Sequence, residues 1–242
     1  MKEVELGNIE DYLKLIKKSK DENLQKGNDQ DFLFRGQMVD SPLLPKICRL
    51  KARGDLLEIE KQLLQEFKRT NPLLIDQQRP MDDWDYLTLG QHFGLPTRLL
   101  DWSNNALTAL WFATGDTNPD QMKVNPYSIV WILMACANDF NLDLEKIHPF
   151  DVPEAKLIRP RIIKQRINNQ SGLFSVLTSE EILEKRYLNE NDSYNKKLIK
   201  VKIPRERFLE IRTDLNTLGV NAFTLFPELE GLCTYLQWRY FE

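Results

Sequence analysis

The stretch SIVWILMA, residues 128–135, constrains the fold more than any other part of the chain. It is an uninterrupted apolar run with β-branched and aromatic residues, which is typical of a central β-strand. Such a strand needs neighbouring strands and a covering layer. Shorter strand candidates occur at FLFRGQ, TRLLDW, LFSVL and LIKVKIP. The sequence therefore predicts a β-sheet with SIVWILMA near its centre.

Several segments predict helices that would cover this sheet. DLLEIEKQLLQEFKRT repeats apolar residues at spacings of three and four, and RERFLEIRTDLNTLG is amphipathic up to Gly219. A helix over residues 8–20 can be capped by Asn8, and WDYLTLGQHF and SNNALTALWFATG predict shorter helices. With 242 residues, 42% of them hydrophobic, the chain can bury one sizeable core. We predict a single α+β domain, residues 1–242, with a small mixed or antiparallel sheet flanked by helices.

Charge and cysteine content narrow the possible partners. The chain has 33 Lys and Arg against 36 Asp and Glu, so nucleic-acid binding would need a local basic patch. No apolar run approaches the about 18 residues of a membrane span, and we expect no membrane association. Three widely separated cysteines without a CxxC spacing predict buried thiols in a reducing compartment rather than disulfides or zinc. We expect a cytoplasmic protein.

FLFRGQ, residues 32–37, is the first candidate for ligand binding. Arg35 comes at the end of an apolar strand, and its planar guanidinium can donate paired hydrogen bonds to a phosphate. Gly36 would allow another backbone or a ligand to approach closely, and Gln37 completes the motif. The alternative is that Arg35 forms a structural ion pair with a core carboxylate.

LGQHFGLPTRLLDWSNNALTALWFA, residues 89–113, places several polar groups between two apolar helical segments. His92 can move a proton near neutral pH, Arg98 can bind an anion, and Asp101 can orient either residue. Glycine and proline would fix the loop that presents them. A structural alternative has His92 satisfied by its neighbours, Arg98 paired with Asp101, and the following helix capped by Ser103. We predict that Arg35, His92, Arg98 and Asp101 line one cleft.

Two later segments add candidate residues. RIIKQRINNQSGLFSVL places Arg161, Lys164 and Arg166 before Gln170, and this run is either a solvated basic face or an anion-contacting edge. LFPELEGLCTYLQW sets Glu228 and Glu230 just before a final apolar helix. These carboxylates either interact favourably with the positive end of the helix dipole or take part in catalysis.

Four common catalytic or phosphate-binding signatures do not occur in the sequence. They are the GxxxxGK[ST] phosphate loop, the GxGxxG fingerprint, the HExxH metal site and the GxSxG elbow. With only two histidines, a His-rich metal centre is excluded. The sequence therefore lacks the motifs that usually indicate nucleotide hydrolysis, Rossmann-type redox chemistry, or hydrolysis by a zinc or serine enzyme.

FLFRGQ, the 89–113 stretch, RINNQSGLFSV and LFPELEGL together resemble the FRG-domain family, named for its Phe-Arg-Gly motif. The resemblance spans residues 32–232. The arrangement is also remotely similar to that of ADP-ribosyltransferases, which have an Arg ending an early strand, a polar strand leading into an apolar helix, and a late carboxylate. This second resemblance implies an ADP-ribosyltransferase-like fold.

The resemblance implies a role for each candidate residue. Arg35, with Gly36 and Gln37, would hold the phosphates of NAD, and Thr97, Arg98, Asp101, Ser103 and Gln170 would contribute to the same cofactor site. His92 would orient the ribose or act as a base. Glu230, preferred over Glu228 because it lies beside Gly231, would stabilise the charge that develops on the ribose. TRLLDWS lacks the Ser-Thr-Ser pattern of one transferase class, and the late Glu pair is not an ExE motif on a strand.

The leading hypothesis is NAD-dependent ADP-ribosyl transfer or NAD glycohydrolase activity, in a bacterial or phage toxin or defence effector. The alternative is a non-catalytic module that binds a nucleotide or a partner in the same cleft. A nuclease is disfavoured, because the chain lacks the clustered carboxylates of metal-assisted phosphodiester cleavage and is slightly acidic. The sequence does not identify the acceptor of a transferred group.

Overall fold

The computed structural model describes residues 1–25, 30–70, 80–115, 125–140, 142–144, 146–161 and 172–241. Its centre is one open, mixed β-sheet of seven strands, which stand in the order β1-β7-β4-β2-β3-β6-β5. The strands are β1 (Lys2–Glu5), β2 (Asp31–Gln37), β3 (Leu99–Ser103), β4 (Tyr127–Ala135), β5 (Lys156–Ile158), β6 (Gly172–Val176) and β7 (Leu198–Pro204).

Ten α-helices occur in the described part of the chain. They are α1 (Ile9–Gln25), α2 (Lys46–Arg49), α3 (Leu56–Thr70), α4 (Asp83–His92), α5 (Ala106–Ala113), α6 (Ser179–Glu184), α7 (Asp192–Asn195), α8 (Phe208–Thr217), α9 (Ala222–Leu225) and α10 (Leu229–Phe241). No helix among the described residues combines the length and apolar character that a membrane span needs.

The SIVWILMA segment forms β4, and it lies inside the sheet as its composition predicts. β4 pairs antiparallel with β2 through residues 129–135 and with β7 through residues 127–133. One face of the sheet packs against α1, α5 and α8, and the other packs against α2 and the segments around α6 and α7. The prediction of a single α+β domain with helices flanking a mixed sheet is confirmed.

Most predicted elements form, with some differences at their ends. Asn8 begins α1, because its Oδ1 accepts a hydrogen bond from the Asp11 amide at 2.8 Å, but the helix continues to Gln25 rather than 20. α8 ends before Gly219, whose φ of 80° places it in the left-handed region. The short edge strands β1 and β5 were not predicted, since three or four residues carry too little alternation to be read.

The cysteines differ from the prediction that all three are buried. Cys48 is buried under the sheet, Cys136 is half-buried at the end of β4, and Cys233 is exposed on α10. The exposed thiol follows from the position of α10 at the surface of the fold, which the sequence alone does not reveal.

The two central antiparallel pairs of the sheet differ in length, and this difference creates an opening. β2 and β4 pair residue by residue over the whole of β2, whereas β2 and β3 share only the Phe34–Ser103 pair. Beyond that pair, Arg35 and Asp101 have no backbone partner in each other's strand. The sheet is therefore divided at the β2–β3 junction.

Candidate functional site

A cavity of about 300 Å³ lies at the β2–β3 junction. This volume is at the lower end of the range for small-molecule sites. Aromatic side chains and polar side chains both contribute to its wall. The aromatic members are Phe34, Trp102, Phe112, Phe174 and Phe226, and the polar members are Arg35, Gln91, His92, Asp101, Ser103 and Thr108.

Arg35 bridges the divided part of the sheet. Its Nη1 donates to the backbone carbonyl of Asp101 at 2.8 Å and lies 3.4 Å from Oδ2 of the same residue. The guanidinium thus supplies a hydrogen bond that a neighbouring strand would otherwise provide. Burial lowers the pKa of Arg35, and the Asp101 carboxylate opposes this effect. An arginine remains protonated at neutral pH, so the cavity contains a desolvated cation.

Two polar atoms in the cavity wall are buried and have no hydrogen-bond partner among the described residues. They are the Nε of Arg35 and the Oγ1 of Thr108. A buried polar group left in this state costs about 1–3 kcal/mol. A ligand with oxygen acceptors would remove this cost at both positions.

The carboxylate of Asp101 is held by Gln91 of the neighbouring helix, α4. Gln91, near the end of α4, donates from Nε2 to Oδ1 and Oδ2 of Asp101 at 3.1 and 3.0 Å. Thr97 donates from Oγ1 to Oε1 of Gln91 and accepts a bond from the Leu99 amide. This chain of bonds fixes the end of α4 to β3. The Asp101 side chain nevertheless remains 57% exposed, so a ligand can reach it.

Gly36 allows α5 to approach the sheet. A Cβ atom at this position would lie 2.0 Å from the Ala109 carbonyl oxygen and 2.7 Å from the Ala113 amide nitrogen. The close approach foreseen for Gly36 is therefore made by a helix backbone. Asn105, not Ser103, caps this helix, since its Oδ1 accepts from the amides of Leu107 and Thr108.

The last wall of the cavity comes from the C-terminal part of the chain. Phe226, between α9 and α10, contacts the rings of Trp111 and Phe112 with centroid distances of 5.8 and 6.0 Å. The LFPELEGL segment thus contributes an aromatic ring to the cavity. This role was not predicted, because the motif drew attention to its carboxylates and not to Phe226.

Arg98 does not line the cavity, and the prediction that it does is wrong. It is fully buried under the opposite end of β3, where its Nε donates to Oε1 of Glu60 at 2.9 Å. The guanidinium also packs over the Phe150 ring at 4.8 Å. The alternative pairing with Asp101 is also wrong, because Arg98 pairs with Glu60 of α3 whereas Asp101 contacts Arg35 and Gln91. Glu60 falls on the apolar stripe of α3, four residues after Leu56, which could have identified it as buried.

Four other predicted site residues lie outside the cavity wall. The Gln37 side chain donates a hydrogen bond to Ser41 Oγ and accepts one from Trp131 Nε1. Thr97 is buried and donates to Gln91. Glu228 and Glu230 are exposed at the start of α10, so their predicted place in the cleft with Arg35 is wrong. Gly231, next to Glu230, is packed against the Phe226 carbonyl and leaves no space for a ligand.

The predicted residues that do line the cavity are Arg35, Gly36, His92, Asp101 and Ser103. The structure therefore brings His92 and Asp101 together with Arg35, as predicted for these three residues.

Gln170, Lys164 and Arg166 lie outside the described residues. Arg161, from the same basic run, pairs with Asp82 at 3.2 Å near the start of α4. Among the described side chains, no group of three His, Cys, Asp or Glu is arranged to hold a metal ion.

Comparison with known proteins bears on this same region. Residues 30–122 match the FRG domain family. The FRG match contains β2 and α3–α5 with β3, and hence Arg35, Gln91, His92 and Asp101. It covers under half of the chain, so the resemblance of the remainder up to residue 232 stays a prediction. Neither a search of curated proteins nor a search of solved structures found a match.

Proposed function

We propose that the cavity at the β2–β3 junction binds a nucleotide, and that NAD⁺ is this ligand. The observation that carries the proposal is the guanidinium of Arg35, a largely buried cation whose buried Nε has no partner among the described residues, in a cavity walled partly by aromatic rings. A phosphate oxygen would accept from this group in the charge-assisted geometry that favours arginine. Aromatic rings would pack against a planar base or ring.

The charges in the cavity support NAD⁺ over more highly charged nucleotides. Arg35 is opposed by Asp101, and none of the described residues that line the cavity is a lysine. A nucleoside triphosphate would bring several negative charges against one partly neutralised cation. NAD⁺ carries a pyrophosphate together with a positively charged nicotinamide ring. Phenylalanine faces and a carboxylate are the groups that attract such a ring.

Calorimetric titration of the protein with NAD⁺ tests this proposal. We expect saturable one-to-one binding, weaker binding of NADH because its reduced ring is neutral, and weaker binding of ATP. Phe112→Ala removes one wall ring and is expected to weaken NAD⁺ binding. Phe223→Ala, on the exposed side of α9, is a matched control expected to leave it unchanged. Equal binding of all three nucleotides, or equal affinity of the two variants, would reject the cavity as an NAD⁺ site.

A second candidate function is cleavage of the bound NAD⁺, as in ADP-ribosyl transfer or NAD glycohydrolysis. The observation that favours it is the Asp101 carboxylate, which Gln91 and Arg35 contact at the cavity that His92 also lines. In hydrolysis, the glycosidic bond breaks, nicotinamide leaves with the bonding electrons, and water adds to C1′ of the ribose with loss of a proton. A fixed carboxylate stabilises the positive charge that develops on the sugar.

Release of nicotinamide from NAD⁺ separates this candidate from a non-catalytic binding module. If the protein is an enzyme, Asp101→Asn is expected to lower turnover by about a hundredfold or more, the scale for loss of one stabilising group. Glu228→Gln and Glu230→Gln serve as controls and are expected to keep full turnover, because both side chains lie outside the cavity wall. NAD⁺ binding without nicotinamide release would support the binding module.

A further inference from the structure

Helices α5 and α9 begin with nearly the same local sequence. NALT, residues 105–108, opens α5, and NAFT, residues 221–224, opens α9. In each segment the asparagine is the N-cap, and its side-chain oxygen accepts a hydrogen bond from the threonine amide. Thr108 and Thr224 thus occupy the third position of their helices. The local sequence predicts the same hydrogen bonds for both hydroxyl groups.

The two hydroxyl groups nevertheless differ. Thr224 Oγ1 accepts from the Asn221 amide and donates to the Asn221 carbonyl, both at 3.0 Å. Thr108 Oγ1 is buried and has no hydrogen-bond partner among the described residues. In α5 the N-cap amide donates instead to Ser103 Oγ at 3.0 Å. Ser103 therefore takes the bond that would otherwise hold the Thr108 hydroxyl at the start of the helix.

An unbonded hydroxyl also distinguishes Thr108 from the other helical threonines that the structure describes. A threonine in a helix can donate to the carbonyl three or four residues earlier. The threonines that do so are Thr70, Thr88, Thr213, Thr217, Thr224 and Thr234. Thr114, at the end of α5, donates to the Leu110 carbonyl at 3.0 Å. A buried hydroxyl without such a bond costs free energy, which a bound ligand would recover.

Thr108 lies in the cavity wall close to Arg35. Thr108 lines the cavity, and Gly36, the residue after Arg35, packs against the carbonyl of Ala109, the residue after Thr108. The two unbonded polar groups therefore belong to adjoining parts of β2 and α5. A helical threonine has two accessible χ1 rotamers, so its hydroxyl can turn toward a ligand. The positive end of the α5 dipole lies at the same turn and favours negative charge.

We propose that the Thr108 hydroxyl donates to a phosphate oxygen of the ligand, beside the Arg35 guanidinium. A phosphate has several acceptor oxygens, so one can accept from Thr108 while another accepts from Arg35. The inference rests on the proposed function for its site, the cavity, but it concerns the phosphate and not the rest of the nucleotide. Thr108 would therefore increase the preference of the cavity for phosphorylated ligands over nucleosides.

Calorimetric titration of Thr108→Val tests this contact with NAD⁺, inorganic pyrophosphate and nicotinamide riboside, which has no phosphate. Valine keeps the branched shape and removes the hydroxyl. We expect the affinities for NAD⁺ and pyrophosphate to fall about tenfold or more, the scale of one hydrogen bond to a charged group. Nicotinamide riboside is expected to bind wild type and variant equally. Thr108→Ser keeps the hydroxyl and is expected to keep most of the affinity.

Thr114→Val is the matched control. Thr114 is also fully buried and belongs to the end of α5, but it is not among the residues that line the cavity. All three affinities are expected to stay unchanged in this variant. Urea denaturation of the ligand-free proteins gives a second measurement. Thr108→Val removes an unbonded polar group and is expected to keep or raise the midpoint, whereas Thr114→Val removes a bonded hydroxyl and is expected to lower it.

The outcomes separate this inference from the NAD⁺ proposal. If wild type and Thr108→Val bind NAD⁺ equally, or if Thr108→Val lowers the urea midpoint, the inference is overturned while NAD⁺ binding can stand. An equal loss of affinity for nicotinamide riboside would overturn the phosphate contact. Pyrophosphate binding that depends on Thr108, without binding of NAD⁺, would support the inference and reject NAD⁺ as the ligand. Binding of neither compound by the wild type would reject both.

Discussion

The two arginines at the ends of β2 and β3 have opposite surroundings. Arg98 is sealed below β3, where Glu60, the Leu177 carbonyl and Ser179 accept its hydrogen bonds. Arg35 contacts a carbonyl and an exposed carboxylate at the cavity, and its Nε has no partner among the described residues. A fully bonded ion pair serves the fold, whereas an incompletely bonded cation at an opening can serve a ligand. The difference lies in what the tertiary structure places around each guanidinium.

Removing Arg98 is expected to have the largest effect on stability. Arg98→Ala would leave the Glu60 carboxylate buried without a counter-charge, which costs about 3–5 kcal/mol. Urea denaturation would measure this loss as a lower midpoint with an unchanged slope. Arg186→Ala is the control, because Arg186 pairs with Glu180 and Glu184 at the surface, where such pairs contribute about 0–1 kcal/mol. Equal losses in the two variants would show that Arg98 is not a structural residue of the kind described.

Arg35→Lys is expected to change binding more than stability. Lysine keeps the positive charge but lacks the planar fork, so it cannot bridge the Asp101 carbonyl and a phosphate together. We expect NAD⁺ affinity to fall about tenfold, equivalent to about 1.4 kcal/mol, with a nearly unchanged urea midpoint. Arg159→Lys, at an arginine outside the cavity wall, is expected to leave affinity unchanged. A large loss of stability with unaltered binding would assign Arg35 to the fold instead.

The contrast between the two arginines also shows how far the sequence alone can reach. Apolar runs and helical spacings predict the sheet and its main helices, because these depend on neighbouring residues in the chain. The motifs likewise predict that Arg35, His92 and Asp101 share a cleft. The burial of Arg98 depends on its pairing with Glu60, 38 residues away, and on which face of α3 meets β3. Such pairings arise only when the layers pack, and local periodicity does not encode them.

The same reason applies to the C-terminal segment. LFPELEGL draws attention to Glu228 and Glu230, since carboxylates carry recognisable chemistry. The structure instead brings Phe226 to the cavity and uses Gly231 to seat α10. An aromatic residue in the connection between two helices resembles many core residues in sequence. Its contribution to a ligand site becomes visible only when α5 and the end of the chain are placed together.

A third ion pair, intermediate in burial between those of Arg35 and Arg98, is expected to give the smallest effect and to depend on pH. Asp83 at the start of α4 contacts Lys68 Nζ and His148 Nε2, the latter at 2.9 Å. Partial burial alone would raise the pKa of Asp83, but Lys68 and His148 together lower it below the ordinary value.

Because the folded state lowers the pKa of Asp83, the ionised carboxylate stabilises the fold above the ordinary aspartate pKa, about 3.9 in unfolded chains. This stabilisation is lost as the pH falls below that value and through the lower folded pKa. Asp83→Asn is expected to cost about 0.5–1 kcal/mol at neutral pH, as for a partly exposed pair, and to cost progressively less below about pH 4. Urea denaturation across pH 3–7 would measure the change, with the exposed Asp21→Asn on α1 as control. A cost that stays constant over this range would mean that Asp83 acts through its packing at the start of α4 and not through its charge.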